Sequence, residues 1–419
     1  MSVASSAHGD LHDDRLAPLA IEVLAVGRRS WGGGWTPALR VVAPGRIELL
    51  GNHLDYNGGR VLAAAIDRYI LLLGEPGAAG GTIEVSYTDP ESREHAHESL
   101  AVADLEGWQR SSPPDTPTDY LRGAVAALHA EGVRIRPAWR LAIGGNVPVG
   151  LGVSSSAALS VGLVMQLSTD PLDPRETILL AQAAENRAGV ASGTMDQAAS
   201  VAGGVIRYDA EAVAFEQLRP DLGDLAFLVV SSGVVHRLGE SAYPIRVREM
   251  AELLAIARRE LGNDAPEIVA GITAEQVDRL VAAGAIDDTL RGRARHIVSE
   301  VERVATGYDA LNAGDWRRFG QLMSESGRSS ASDYDVSHPQ VEELVAEITG
   351  QPGVLGARMM GGGGGGSVLA LVQRTEIDRL AAHLDANYFA RYDMSAASDR
   401  LLVCGSSEGA RSEVVGEQV

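Results

Sequence analysis

Apolar positions along the chain fall into short runs of two periods, and the runs alternate. The first forty residues read as a helical lead-in, broken by the Gly-rich stretch Trp31 to Trp35 and giving way to a β-like run at Leu39 to Ala43. β-branched and apolar residues return between Gly and Pro punctuation at Ala63 to Leu73 and Thr82 to Tyr87, which predicts strands. A Pro-rich loop, Ser111 to Pro117, precedes helical spacing over Tyr120 to Ala130 and a strand at Ala138 to Ile143. Ser154 to Leu167 follows a Gly-containing turn, and Pro174 to Arg187 has Pro in its first turn and Gly189 just past its end, so both predict helices. A strand is expected at Leu225 to Ser231, mostly helix from Ser241 to Asp315, and strand, glycine loop, strand over Gly353 to Val372. The mixture predicts an α+β fold. At 419 residues the chain exceeds what one hydrophobic core usually serves, so two domains are expected, 1–222 and 223–419, divided after the turn Pro220 to Gly223.

Composition narrows the chemistry. The sequence contains no lysine: all 36 basic residues are arginines. A P-loop, a protein-kinase strand lysine and a Schiff-base nucleophile are therefore all excluded. The formal charge of -20 is spread along the chain, so neither nucleic acid nor an anionic membrane is an expected partner. A single cysteine, Cys404, cannot form an internal disulfide or a thiolate zinc site, which suits a reducing cytoplasm. Met1 to Ala20 lacks the positive start and apolar run of an export signal, and the longest apolar runs, such as Tyr69 to Leu73, are too short to span a bilayer.

Four segments carry candidate chemistry. Val147 to Ala158 places Gly150 and Gly152 directly before Ser154, Ser155 and Ser156 and a helix start. Such glycines let backbone approach a ligand, and first-turn N–H groups favour an anion such as a triphosphate. A tight turn with an N-cap serine satisfies the same pattern. Six consecutive glycines, Gly361 to Gly366, lie between apolar strand-like segments, where a flexible linker would have polar flanks, so backbone needed close to a ligand or partner is the preferred reading. Pro44 to Gly59 gathers Arg46, Asn52, His53 and Asp55 about Gly51, donors and acceptors suited to a polyhydroxylated ligand, or equally a strand and turn held by Asx hydrogen bonds. Asp196 falls in the first turn of a short helix, and Glu185 eleven positions earlier on the helix before it.

Taken together these segments resemble the galactokinases, within the GHMP small-molecule kinase superfamily that also includes homoserine, mevalonate and phosphomevalonate kinases. Arg46 to Gly59 is similar to the galactokinase signature, Val149 to Ala158 to the phosphate loop, and Gly356 to Ser367 to the third motif. Gly193 to Gln197, Ser241 to Arg246 and Ser324 to Pro339 match further segments in the family's order. The resemblance implies a two-domain α+β fold of GHMP-kinase type with the active site in the inter-domain cleft: an N-terminal sugar- and phosphate-binding domain and a C-terminal GHMP-type domain. It implies ATP-dependent phosphorylation of the anomeric hydroxyl of galactose or a closely related sugar. Asp196 would be the general base and Arg46 its charge partner. Gly150, Gly152, Ser154 and Ser155 would bind ATP phosphates, and Ser156 and Glu185 Mg2+. Asn52, His53, Asp55, Gly193 and Tyr243 would contact the sugar.

The chain also departs from the family. Asn52 stands where galactokinases carry a glutamate facing the C6 end of galactose, and Glu48 where they carry asparagine. An amide would not repel a carboxylate, which admits a C6-altered sugar such as galacturonate. Met360 and Gly364 depart in the third motif, and the spacing from Glu185 to Asp196 is one residue shorter than usual. A non-catalytic sugar and ATP sensor is a third possibility, set against the intact Ser154 to Ala158 and Asp196. The expected partners are the sugar and ATP, for a cytoplasmic protein that is a monomer or weak homo-oligomer.

Overall fold

Strand pairing divides the chain between two sheets in the computed structural model, which describes residues 16–78, 80–89, 92–234, 243–394 and 400–415. Helix α1 (Ala17–Trp31) leads into β1 (Leu39–Leu50), β2 (Arg60–Pro76), β3 (Thr82–Thr88) and β4 (His95–Ala101). Helix α2 (Pro117–Ala130), β5 (Trp139–Gly145), α3 (Ser155–Leu167), α4 (Pro174–Arg187) and α5 (Met195–Ala202) follow, then β6 (Val205–Asp209) and β7 (Ala214–Leu218). With the final strand β12 (Arg411–Val414), the path β12-β1-β2-β5-β3-β4 forms the first sheet; β6 pairs with β2, and β7 with β6. Only β3 and β5 pair in parallel among the described strands.

Both faces of this sheet are covered, and the period of two in the strands assigns side chains to each. Tyr69, Leu71 and Leu73 pack with Leu19 and Val23 of α1, while Leu72 faces the core shared with α2, α3 and α4. That double burial is why β1 and β2 read as nearly continuous apolar runs. Strand β1 extends well past the expected Ala43, through Pro44, where a shift of register between Pro44 and Arg46 accommodates the missing proline donor. The polar β4 gives no sequence signal: as an edge strand it pairs on one side only, with β3.

The second sheet is antiparallel throughout. It comprises β8 (Leu225–Ser231), β9 (Val354–Met360), β10 (Ser367–Gln373) and β11 (Leu401–Cys404). Helices α6 (Tyr243–Leu261), α7 (Ala274–Ala282), α8 (Asp288–Ala313), α9 (Trp316–Ser332), α10 (Pro339–Thr349) and α11 (Ile377–Leu384) surround it. The final strand, β12 (Arg411–Val414), returns to β1 of the first sheet. The largest apolar core runs from Ile47 on β1 to Cys404 on β11, so the two sheets share packed interior. Among the described residues no helix is long and apolar enough to cross a membrane.

Candidate active site

Asp196, in the first turn of α5, meets Arg46 of β1 across 150 positions of sequence. Arg46 donates from Nε to Oδ1 at 2.7 Å and from NH2 to Oδ2 at 2.6 Å, a bidentate pair. Its NH1 donates to the carbonyl of Gly152 at 2.6 Å, which ties the glycine and serine loop to the pair. Burial alone would lower the Arg46 guanidinium, and the Asp196 carboxylate raises it above its ordinary value. Ser154 completes the centre by donating from Oγ to Asp196 Oδ2 at 2.5 Å. To do so it adopts φ 57° at the N-terminus of α3, a left-handed conformation that costs a non-glycine residue about 1 kcal/mol. The hydrogen bond to a carboxylate offsets that strain.

Beyond Ser154 hydroxyl side chains gather. Gly150 and Gly152 take positive φ, 81° and 71°, leaving their backbone open before the helix. Ser155 opens α3, and Ser156 follows it in the first turn, close to Glu185 of α4 and Tyr120 of α2. Glu185 is 1% exposed and accepts from Ser192 and Gln197. Burial, with the Asp196 charge, pushes its carboxyl up to about 7. No group of three or more histidine, cysteine or acidic residues is placed to hold a metal among the described residues. A hydroxyl and a carboxylate do fit magnesium, which takes one or two carboxylates and completes its oxygen shell with water and substrate phosphates.

On the other side of the pair the segment after β1 turns inward. Gly51 N–H and Asn52 N–H donate to Glu300 Oε1 of α8 at 2.8 and 3.1 Å, and Ser326 Oγ donates to the same oxygen at 2.8 Å. Burial would raise the Glu300 carboxyl, yet Arg303, His296 and Arg358 bring it down to about 2. His53 follows with φ 63°, its Nδ1 3.1 Å from Tyr56 Oη and its Nε2 buried without a partner among the described residues. Burial and neighbouring cationic groups push its imidazole well below the ordinary value. Tyr334 stacks obliquely on His53 at 4.9 Å and on His296 at 4.5 Å, and Tyr243 lies 5.7 Å from His53.

Asp55 and Gly193 sit in contact by necessity: a Cβ on Gly193 would lie 1.7 Å from Asp55 Oδ2. Burial and the charges of Asp196 and Glu48 push the Asp55 carboxyl up to about 7. Tyr243 lies near the Gly193 backbone, at the same corner. Asn52 engages every polar group it has. Its Nδ2 donates to Glu48 Oε1 at 3.2 Å and Gly361 O at 3.1 Å, its Oδ1 accepts from Ser330 Oγ at 2.8 Å, and its carbonyl contacts His296 Nε2 at 3.1 Å.

The hexaglycine is not a free linker. Gly364 N–H donates to Val336 O at 2.7 Å and Gly366 N–H to Val234 O at 3.1 Å. At Gly363, φ is 86° and a Cβ would lie 2.1 Å from Val336 O, so only glycine fits. The loop thereby closes against Tyr243 and the turn carrying Tyr334.

The thirteen residues expected from the sequence lie on this surface or on its supports, and Asp196 and Arg46 are in direct contact. Sequence reasoning missed Glu300, His296, Tyr334 and Arg358. Tyr334 and Arg358 fall inside segments carrying a family resemblance, whereas Glu300 and His296 are ordinary polar positions on an amphipathic helix and offer no local signal. Of the tyrosine segment, Ser241 and Ala242 lie outside the described residues.

The chain is similar in sequence and fold to known proteins. Sequence profiles for the galactokinase galactose-binding signature, the GHMP kinases N terminal domain and the GHMP kinases C terminal region match residues 32–76, 119–204 and 308–390. A galactokinase of Bos taurus is 34% identical over 396 residues, 91% of this chain and 97% of the relative. One of Thermotoga maritima is 32% identical over 361 residues, 84% and 95%. The structure of Lactococcus lactis galactokinase complexed with galactose superposes with a TM-score of 0.82 at 26% identity, covering 94% of this chain and 99% of that one. A mevalonate kinase with 16% identity and a TM-score of 0.59, covering 88% and 98%, shares the fold.

Proposed function

The chain belongs to the galactokinase family of GHMP kinases, and from that premise we propose that it transfers the γ-phosphoryl group of ATP to the C1 hydroxyl of galactose, giving galactose 1-phosphate and ADP. The observation that carries this reading is the Asp196–Arg46 pair, with Ser154 joining it to the N-terminus of α3.

In this mechanism Asp196 takes the proton of the C1 hydroxyl as the oxygen attacks. Arg46 holds the carboxylate in place and offsets charge on the reacting oxygen. Phosphoryl transfer needs alignment more than covalent help, and this site is built for alignment: Arg46 bridges the base to Gly152, so base and phosphate loop move as one unit. Backbone N–H groups from Gly150 to Ser155, at a helix N-terminus, orient the phosphates. Ser156 and Glu185 would hold Mg2+, which supplies charge neutralisation at the phosphate oxygens. His53, Asp55, Gly193 and Tyr243 line the sugar side, where the unpartnered Nε2 of His53 and the Asp55 carboxylate offer sites for hydroxyls.

Residues 1–222 and 223–419 form the two halves in this reading, with β12 returning to the first sheet. A cytoplasmic protein that is a monomer or weak homo-oligomer fits its single buried cysteine and charge of -20. ADP release coupled to a sugar panel tests the proposal. Galactose should be turned over with ATP and magnesium, and a protein that binds both ligands without releasing ADP would not be a kinase.

A further inference from the structure

Glu48 lies two residues beyond Arg46 on β1, so both side chains leave the same face of the strand. Its Oε1 accepts from Arg358 NH2 at 2.7 Å and from Asn52 Nδ2 at 3.2 Å. Its Oε2 has no hydrogen-bond partner among the described residues and is not one of the fully enclosed orphan atoms. The residue keeps 4% of its surface exposed.

Neighbours decide where that opening points. Arg358 is entirely buried, donates also to Leu49 O and Met359 O, and together with Asn52 closes the Oε1 side. Arg46 and Asp55 are near enough for the Glu48 charge to act on both. A carboxylate oxygen is thus held rigidly beside the sugar side of the Arg46–Asp196 pair, with lone pairs for which the protein supplies no donor. Asn52 next to it has both amide hydrogens engaged, so its amide has no proton to offer an incoming carboxylate.

We infer that Glu48, through Oε2, accepts a hydrogen bond from a hydroxyl of the bound sugar and selects neutral hexoses over uronic acids. The inference rests on the site being a galactose site and deepens that reading. A uronate carboxylate would meet Glu48 as a like charge, with Asp55 and Asp196 close by, and the two arginines at hand are already committed, Arg46 to Asp196 and Arg358 to Glu48 itself.

The test compares wild type with Glu48→Gln on galactose, the monodeoxygalactoses and galacturonate, reading KM for sugar and for ATP. Wild type should strongly prefer galactose to galacturonate. Glu48→Gln should raise the galactose KM about 10-fold or more, leave the ATP KM in place and narrow the preference against galacturonate. One monodeoxygalactose, lacking the hydroxyl that Glu48 holds, should show no change between wild type and variant.

An equal change for galactose and every deoxy sugar would reduce Glu48 to a structural residue and overturn the inference. So would wild type using galacturonate as readily as galactose, a measurement that needs no variant. If Glu48→Gln fails to fold, the exchange Glu48→Asn with Asn52→Glu keeps one carboxylate and one amide beside Arg358. It should regain folding and galactose preference, and an exchanged protein that folds yet prefers galacturonate would refute the inference. Galactose binding without turnover would sink the kinase reading alone, because the same ratios measured by calorimetry still judge Glu48. No galactose binding at all would sink both.

Discussion

The two sides of Asp196 are built in opposite ways. In the proposed reaction the phosphate side comes from one continuous stretch, Gly150 to Ser156, plus Glu185 and Tyr120 on adjacent helices, and it is lined with hydroxyls. The sugar side is assembled from β1, α8, α9 and the glycine loop, positions up to 309 residues apart in sequence, and is fixed by buried charges and stacked rings. A phosphate presents strong acceptors that any row of N–H groups and a helix dipole can satisfy. A sugar presents hydroxyls whose directions must each be matched, and only a rigid, cross-linked wall holds that many acceptors in place.

The sharpest way to break this comparison lies at the residue the sides share. Asp196→Asn should cut turnover by roughly 10²-fold or more while galactose and ATP still bind, as titration calorimetry beside steady-state kinetics would record. Unchanged turnover would remove the base from the mechanism. Glu300 tests the rigidity of the sugar wall. Its folded carboxyl is lowered to about 2 from an ordinary 4.5, so its stabilisation is fully present above pH 4.5 and is lost as pH falls toward 2. The shift corresponds to about 3 kcal/mol, and Glu300→Gln should abolish that acid limb in urea midpoints measured across this range. A variant with the wild-type profile would mean that the turn at Gly51 is held by other contacts.

Smaller effects separate the two binding functions. Gly193→Ala would drive a Cβ into Asp55, so galactose KM should rise roughly 10-fold with the ATP KM little changed; a parallel rise in both would deny that the sides are separable. Asp55 carries the opposite sign to Glu300. Its folded carboxyl is raised to about 7 from an ordinary 3.8, so ionising it costs stability that sets in above pH 3.8 and is complete above pH 7. Asp55→Asn should therefore melt above wild type at pH 8 and equal it near pH 4, while weakening galactose. Equal melting at both pH values would show that the site does not strain this carboxylate.

The sequence by itself determined the α+β class, half of the eight strands of the first sheet and the glycine and serine turn before α3, because period and glycine placement are local properties that one stretch of chain displays. It also put Asp196 and Arg46 forward as the reacting pair through motif resemblance. Tertiary structure alone decided the sugar wall. Nothing near Glu300 or His296 distinguishes them from solvated helix positions, and Ser154 looks like a phosphate donor until folding places Asp196 2.5 Å from its hydroxyl. Asn52 reads as a sugar contact in a loop, yet Glu48, Ser330 and Gly361 engage its amide once β1, α9 and the glycine loop converge. Hydrogen bonds and desolvation depend on distance in space, and sequence spacing carries no record of which distant groups packing will bring within 3 Å.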